Sequence, residues 1–568
     1  MPTYEASGYN IRLLPSCFSF IKGEPDEQAA YDAYLTVDGL LSYRAQHQGH
    51  LPFLCSLDPY RGIVEEYTVA RCAALVRDGA EHLCSSGMLG PRGRGDDTKV
   101  VGMIGMSWVD YWVNKMAITR LGHVPLPLST GLTYSTMAQL LRDASATLLV
   151  VGPGAESIAS HVISCLKDIG LTMSLLPWFS IDPHEHVSPT EYVDDGKYRT
   201  GETREILRNC PAQLAHTTGS TAMPKLIPLK NLCVTQVLPI CGDGDSLIIV
   251  SPSQGYSTFV PVGCLASGRR CYVLMPPPQP PIDIGAVISA LRLVIREKDR
   301  VSRPIKFFTH PAMLDRIAMS PYSQDAVDSL RSFDRVITGG SPPSLPLVQW
   351  IERAGLTTKM CNYMGSNEVG TYLDASPRAA GTVDWQWFQE DPRMSEWISL
   401  ETVDKENGAA EIVILPGYPT LQVSNRPDGA FETHDLFLPH PMIKGRWLYW
   451  MRKDDVIVHS TGMKTDPTYI EGRLRSSPYV RQVLVTGSGF PNASALIFPS
   501  SHAVIMHDII PLLASINESV PVQSRLEPRR VRILSADENF EVSSKGIVKR
   551  RVTEECYRDL LEEMYHDE

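Results

Sequence analysis

The 12 cysteines of this 568-residue chain are scattered, and none forms a C-x-x-C pair with another. That leaves zinc-ribbon and thioredoxin-type chemistry without support, and the cysteines read as free thiols in a reducing compartment such as the cytoplasm. No run of about 18 apolar residues is present, so no membrane span is expected. The opening stretch MPTYEASGYNIRLLPS lacks a positive segment leading into an apolar one, and no secretory signal is expected. Without secretion, the glycosylation triplets at Asn492 and Asn517 and the RGD at Arg94 carry no argument. Basic residues are not in excess: the formal net charge of -11 argues against a surface that coats nucleic acid. The most phosphate-like stretch, HTTGSTAMPK (His216–Lys225), also fails as a Walker A loop. Ala222 and Met223 fill its middle, no second glycine precedes Lys225, and Leu226 follows the lysine.

What is present is ordinary globular chemistry, 43% hydrophobic and 21% charged, in a chain too long for one domain. Apolar runs at 99–106, 146–152, 246–252, 270–276 and 305–311 read as buried strands. Between them, 110–122 and 286–299 carry helical spacing, and PPPQPP (Pro276–Pro281) reads as a stiff extended connector. The alternation predicts an α/β architecture with substantial parallel sheet and no internal repeat. A second unit begins near Arg452. It has a hairpin over 480–487 and 493–499, a helix over 507–520, and a stretch over 531–551 that ends in a basic loop, enough for a small α+β domain.

Four further readings stay open on the residues alone. Thr217, Thr218, Gly219, Ser220, Thr221 and Lys225 form either a mobile polyphosphate loop or a polar turn at a strand end. NYMGSNE (Asn362–Glu368) follows RVITGGSPPS (Arg335–Ser344). Its Glu368 either holds Mg²⁺ beside phosphates or is a helix-start acid, and the paired glycines before it can let a flat ring approach the backbone. In FETHD (Phe431–Asp435) and YWMRKDD (Tyr449–Asp455), Asp435 and Arg452 can grip a ribose or simply pair with each other. SSKGIVKRR (Ser543–Arg551) is a lysine-bearing loop tip or a solvated basic tail.

Taken in order, TTGSTAMPK, MGSNE, FETHD, MRKDD and SSKGIVKR resemble the successive core motifs of the adenylate-forming superfamily of acyl-CoA synthetases, luciferases and nonribosomal peptide synthetase (NRPS) adenylation domains. The resemblance spans nearly the whole chain. HTTGSTAMPKLIPLKN, FETHDLFLPHP and KGIVKRR…CYRDLLEEMY are most similar to the adenylation domain of fungal NRPS-like carboxylate reductases. The resemblance implies a large N-terminal adenylation core with α/β sheets over 1–451 and a small mobile α+β C-terminal domain over 452–568, hinged near Asp454. It implies that Thr217 to Lys225 hold the β- and γ-phosphates of ATP. Gly339, Gly340, Ser341, Asn362 and Tyr363 then frame the adenine, Met364 and Asn367 fall within the same ATP/AMP site, Glu368 binds Mg²⁺, and Asp435 and Arg452 hold the ribose. Lys545 becomes the catalytic lysine, with Lys549 in reserve. Departures from the family pattern are Ala222 for the usual glycine, Met364 and Asn367 for the tyrosine and threonine of YGxTE, and KG for the usual GK.

The implied reaction is activation of a carboxylic acid as an acyl-adenylate, then transfer to the phosphopantetheine thiol of a carrier domain, with a reductase domain following in a longer chain. Coenzyme A as acceptor and a catalytically silent nucleotide-binding module are the alternatives. No carrier-type serine motif or reductase fingerprint occurs, so either an excised domain or a stand-alone activator is expected. SPSQGYSTF (Ser251–Phe259), where amino-acid-activating relatives carry an ammonium-pairing aspartate, holds no acid. A buried unpaired ammonium is costly, so an acid without an α-amino group is expected, aryl or aryl-keto in type. Its expected lining is Gln254, Tyr256, Thr338, Gly339, Tyr363, Thr371 and Tyr372.

Overall fold

The computed structural model describes residues 32–105, 108–181, 204–217, 224–236, 244–275, 283–375, 385–390, 394–405, 407–538, 540 and 548–565. Its strands in the first half are β1 (Pro52–Asp58), β2 (Ile63–Thr68), β3 (Val100–Ile104), β4 (Val124–Pro127), β5 (Leu148–Val151), β6 (Ser174–Leu176), β7 (Pro211–His216), β8 (Leu226–Lys230), β9 (Asp245–Ile248) and β10 (Cys271–Leu274). Then follow β11 (Ile305–Thr309), β12 (Arg335–Gly339), β13 (Met360–Ser366), β14 (Gly370–Asp374), β15 (Trp387–Glu390), β16 (Ile398–Thr402), β17 (Ala410–Ile414), β18 (Phe431–Pro439) and β19 (Arg446–Arg452). The last are β20 (Ile457–Val458), β21 (Lys464–Thr465), β22 (Val480–Thr486), β23 (Ser494–Pro499) and β24 (Val531–Ile533).

A 13-stranded sheet runs β16-β17-β18-β19-β15-β14-β13-β12-β11-β9-β10-β1-β2. From β1 through β10, β9, β11 and β12 to β13 its neighbours are parallel, and β2 and the strands from β14 onward pair antiparallel. The parallel strands are buried on both faces because helices cover both: β9, β10 and β11 are buried at every position. One core lies between this sheet and the helices Val37–Gln48, Val69–Ser85, Val109–Arg120 and Tyr256–Ser267. The other packs Ile284–Val301 and Pro311–Met319 on the opposite face. The helix Ile284–Val301 starts where the Asp283 side chain accepts the amide of Ala286. A second, parallel sheet runs β4-β3-β5-β6, and β7 with β8 forms an antiparallel pair.

Beyond β19, the β22-β23-β24 sheet and the helices Pro467–Arg475 and Met506–Asn517 close over a core that, among the described residues, draws on residues 457 to 533. The strands expected at 99–106, 146–152, 246–252, 270–276 and 305–311 are β3, β5, β9, β10 and β11, each shorter than its apolar run. The expected hairpin is β22 with β23. The connector Pro276–Pro281 lies outside the described residues. The basic stretch ends differently from the expected loop: Arg550 opens a helix, Arg550–Cys556, and bonds to Glu471 at 2.7 Å. A guanidinium with that partner is internal wiring, not a solvated tail.

Candidate active site

The carboxyl ends of β9, β11, β12 and β13 lie side by side, the edge of a parallel sheet where a crevice can take a ligand. Thr338 and Gly339 end β12 and stand in register with Asn362 and Tyr363 of β13. Thr338 and Asn362 are buried, and the Thr338 hydroxyl lies 3.4 Å from the Asn362 Oδ1. Gly340, just past β12, has φ +84, a conformation that favours glycine and keeps the backbone bare where a flat ring can approach. Tyr363 packs on the core that holds the helix Tyr256–Ser267, whereas Met364 packs on the far antiparallel end of the sheet. Strand alternation sends them to opposite faces.

The β13–β14 turn carries Asn367 and Glu368. Gly370 closes it at φ +72, where a Cβ would stand 2.7 Å from the Thr420 hydroxyl. Glu368 is half-buried, and its carbonyl accepts the Gln422 amide at 2.8 Å, so its backbone is fixed while its carboxylate stays reachable. Thr371 accepts the Tyr418 hydroxyl on its carbonyl at 2.6 Å. The Asn367 amide donates to the His216 carbonyl at 3.4 Å, and a Cβ on Gly255 would stand 2.8 Å from its Oδ1. Asn367 is thus wedged between the end of β7 and the start of the helix Tyr256–Ser267.

The loop between β7 and β8 is pinned at its base. The Thr217 amide donates to the Lys225 carbonyl at 2.9 Å, and the Lys225 amide donates to the Thr217 hydroxyl at 2.9 Å. Lys225 itself is exposed, whereas Thr218, Gly219, Ser220 and Thr221 lie outside the described residues. His216 beneath is buried, and burial lowers its pKa despite its bond to the Thr217 carbonyl, so the imidazole is neutral.

Asp435 and Arg452 face each other across β18 and β19, with Arg452 Nη1 3.3 Å from Asp435 Oδ1. The Tyr372 hydroxyl donates to Asp435 Oδ2 at 2.9 Å. Burial, reinforced by the Asp435 carboxylate, pushes the Tyr372 pKa well up, so it remains a donor at every ordinary pH. Burial works against the Arg452 charge, but Asp435, Tyr449 and Asp454 outweigh it and hold its pKa above the ordinary value. Tyr372, expected in the acid lining, is instead buried with its hydroxyl spent beneath Asp435. A carboxylate accepts several hydrogen bonds, a chemistry that suits a sugar diol.

Two residues of this region escaped the sequence reading. His434, next to Asp435, has φ +58, and its Nδ1 lies 3.7 Å from Asp454 in the turn Lys453–Asp455. His310 follows β11, with Nδ1 3.1 Å from the Gly339 carbonyl and Nε2 2.5 Å from Gln254 Oε1. The one sequence signal for His310 is a polar residue set between the strand-like run IKFFT and Pro311. Tyr256 opens its helix, but its side chain lies outside the described residues, as does Lys545. Lys549 caps the helix that Arg550 begins, without a side-chain cap bond. Among the described residues, no helix is long and apolar enough to cross a membrane.

A half-buried carboxylate at a turn can share Mg²⁺ with substrate phosphates, since that ion takes one or two protein carboxylates and fills its shell with phosphate and water. With the buried carboxylate of Asp435 and the glycine turn after β12, the donor set suits MgATP as substrate.

The family described as AMP-binding enzyme matches residues 48–414, and the family described as AMP-binding enzyme C-terminal domain matches residues 454–568. The adenylate-forming reductase Nps10 of Heterobasidion annosum is 25% identical over 499 residues, 82% of this chain and 43% of that protein. Nps11 of Serpula lacrymans var. lacrymans (strain S7.9), also an adenylate-forming reductase, is 24% identical over 94% of this chain and 50% of its own length. The chain spans half or less of the length of these relatives. The ATP-bound structure of MatB from Rhodopseudomonas palustris superposes with a TM-score of 0.66 at 17% identity, covering 93% of this chain and 99% of that one.

Proposed function

Since the chain belongs to the AMP-binding enzyme family and is an adenylate-forming enzyme related to fungal adenylate-forming reductases, we propose that it activates an aryl or aryl-keto acid and passes it to a carrier-bound phosphopantetheine thiol. The observation that carries this reading is the buried Asp435, braced by Tyr372 and Arg452, on the same sheet as the bare Gly339–Gly340 turn. In the first half-reaction a carboxylate oxygen of the acid attacks the α-phosphorus of MgATP. The new O–P bond forms as the α–β bridging bond breaks and pyrophosphate leaves. Asp435 and Arg452 fix the ribose, the Gly339–Ser341 turn with Asn362 and Tyr363 frames the purine, and Glu368 balances charge on the phosphates. Lys225 and the loop Thr217–Thr221 steady the leaving group. Lys545 stabilises the charge that builds between acid and α-phosphate.

In the second half-reaction the thiol sulfur attacks the acyl carbon and AMP leaves. Residues 452–568 turn about Asp454 between the two steps, as a small unit with its own core can do. The pocket that takes the acid holds Gln254, Thr338, Tyr363 and Thr371 and, in the Ser251–Phe259 stretch, no carboxylate to pair with an ammonium. Acid-dependent pyrophosphate–ATP exchange over a panel of acids tests the reading. Exchange with benzoate-type or arylpyruvate acids is expected, and a preference for an ordinary α-amino acid would overturn the pocket assignment.

A further inference from the structure

His310 sits at the N-cap of the helix Pro311–Met319, yet its side chain makes no bond to that helix. The ring bridges the end of β12 and the turn between β9 and the helix Tyr256–Ser267, with Nδ1 on the Gly339 carbonyl and Nε2 on Gln254 Oε1. Both partners are oxygens, and a protonated imidazole donates to both at once. The Gln254 backbone is fixed independently: its amide donates to Ser251 and its carbonyl accepts from Ser257. What His310 alone sets is the side-chain amide. With Oε1 held, the NH₂ end of Gln254 has no hydrogen-bond partner among the described residues.

We propose that His310 is a positioning residue for the acid: it holds the Gln254 amide oxygen so that the NH₂ group faces the acid pocket as a donor. The site thereby selects acids that carry an acceptor oxygen in addition to the carboxylate. This rests on the reading that the protein adenylates an acid at the β9–β12 crevice. An unfilled donor in a closed pocket costs free energy, and an acid with a keto or hydroxyl oxygen removes that cost where a hydrocarbon chain cannot. The Gly339 contact ties the same ring to the turn that leads into Gly340, so the acid side and the purine side share one fixed point.

The test uses a matched pair, phenylpyruvate and 3-phenylpropionate, which differ by the keto oxygen. Exchange kinetics and calorimetric binding in the presence of AMP are measured for both acids. The wild-type protein is expected to favour the keto acid by roughly 10- to 100-fold. His310→Ala and Gln254→Leu should each bring that ratio close to unity by raising the KM of the keto acid, with the KM of ATP unchanged in Gln254→Leu. The double variant should be no worse than either single one, because the two residues act as a unit. His310→Gln, whose amide can still donate to Gln254, should restore part of the preference. Exchange that keeps the wild-type ratio in His310→Ala, or losses that add in the double variant, overturn the proposal alone. No exchange with any acid, together with calorimetric discrimination that depends on His310, overturns the adenylation reading and supports the positioning role.

Discussion

At Asp435 a buried carboxylate is held by one tyrosine hydroxyl and one guanidinium, and the tyrosine is the partner that the surrounding strands hide from solvent. Tyr372→Phe removes that donor without opening a cavity. The loss of a hydrogen bond to a charged group, about 1.5–3 kcal/mol, should appear as a rise in the KM of ATP of roughly 10-fold or more, with the KM of the acid little changed. An unchanged KM for ATP would show that Asp435 does not hold the nucleotide. Glu368→Gln keeps the size of the side chain and removes its charge, so exchange should fall strongly while the melting temperature stays. Wild-type exchange in that variant would remove Glu368 from the phosphate site.

Lys115 shows the reverse economy. Burial lowers its pKa from 10.5 to about 7, and its ammonium has the Thr258 hydroxyl as partner at 3.1 Å, while Thr258 donates onward to Gln213. The unfolded chain keeps this proton up to about pH 10. The cost of a buried charge is therefore present in full below pH 7 and fades as the pH climbs toward 10. Lys115→Met leaves Thr258 its acceptor and should stabilise the protein at pH 7 by on the order of 2 kcal/mol, a gain that shrinks on titration to pH 10. Denaturant melts of the variant and the wild type across that range measure it, and a constant difference would show that the amine is not the source.

At the scale of elements, the turn Lys453–Asp455 joins β19 to the unit that follows. His434 in β18 adopts φ +58 beside it, a conformation that costs a non-glycine residue about 1 kcal/mol. A hinge needs backbone freedom, and proline removes it. If Lys545 serves only the first half-reaction, Lys545→Ala should cripple exchange and spare thioester formation from supplied acyl-adenylate. Asp454→Pro should do the opposite when it locks the adenylating arrangement. Equal loss of both half-reactions in both variants would contradict a turning C-terminal unit.

At the scale of the molecule, the core over Ile457–Ile533 draws on no earlier residue among those described. The smaller cluster of Leu484, Leu496, Phe498, Leu561 and Met564 belongs to the same region. A fragment of residues 454–568 is therefore expected to fold alone, giving a cooperative melt and slow amide exchange in β22 and β23. A fragment without a cooperative transition would mean that this unit depends on the large one.

The sequence by itself determined the alternating architecture, the strands β3, β5, β9, β10 and β11, the hairpin β22–β23 and the chemical inventory of the site. Each of these rests on local periodicity or on residues close together in the chain. Asp435 and Arg452 were legible as an acid and a base that either grip a sugar or pair, and the pairing of β18 with β19 sets them 3.3 Å apart. Tertiary structure decided what depends on distant neighbours. Tyr372 reads as an aromatic lining residue until the β14 and β18 strands bring its hydroxyl onto Asp435, 63 positions away. Arg550 reads as part of a basic tail until the fold sets Glu471 beside it. His310 is silent until β9, β11 and β12 align their ends and place Gln254 and Gly339 on its two nitrogens. A side chain's local sequence fixes which groups it offers, and only the packing of strands far apart in the chain fixes which groups it meets.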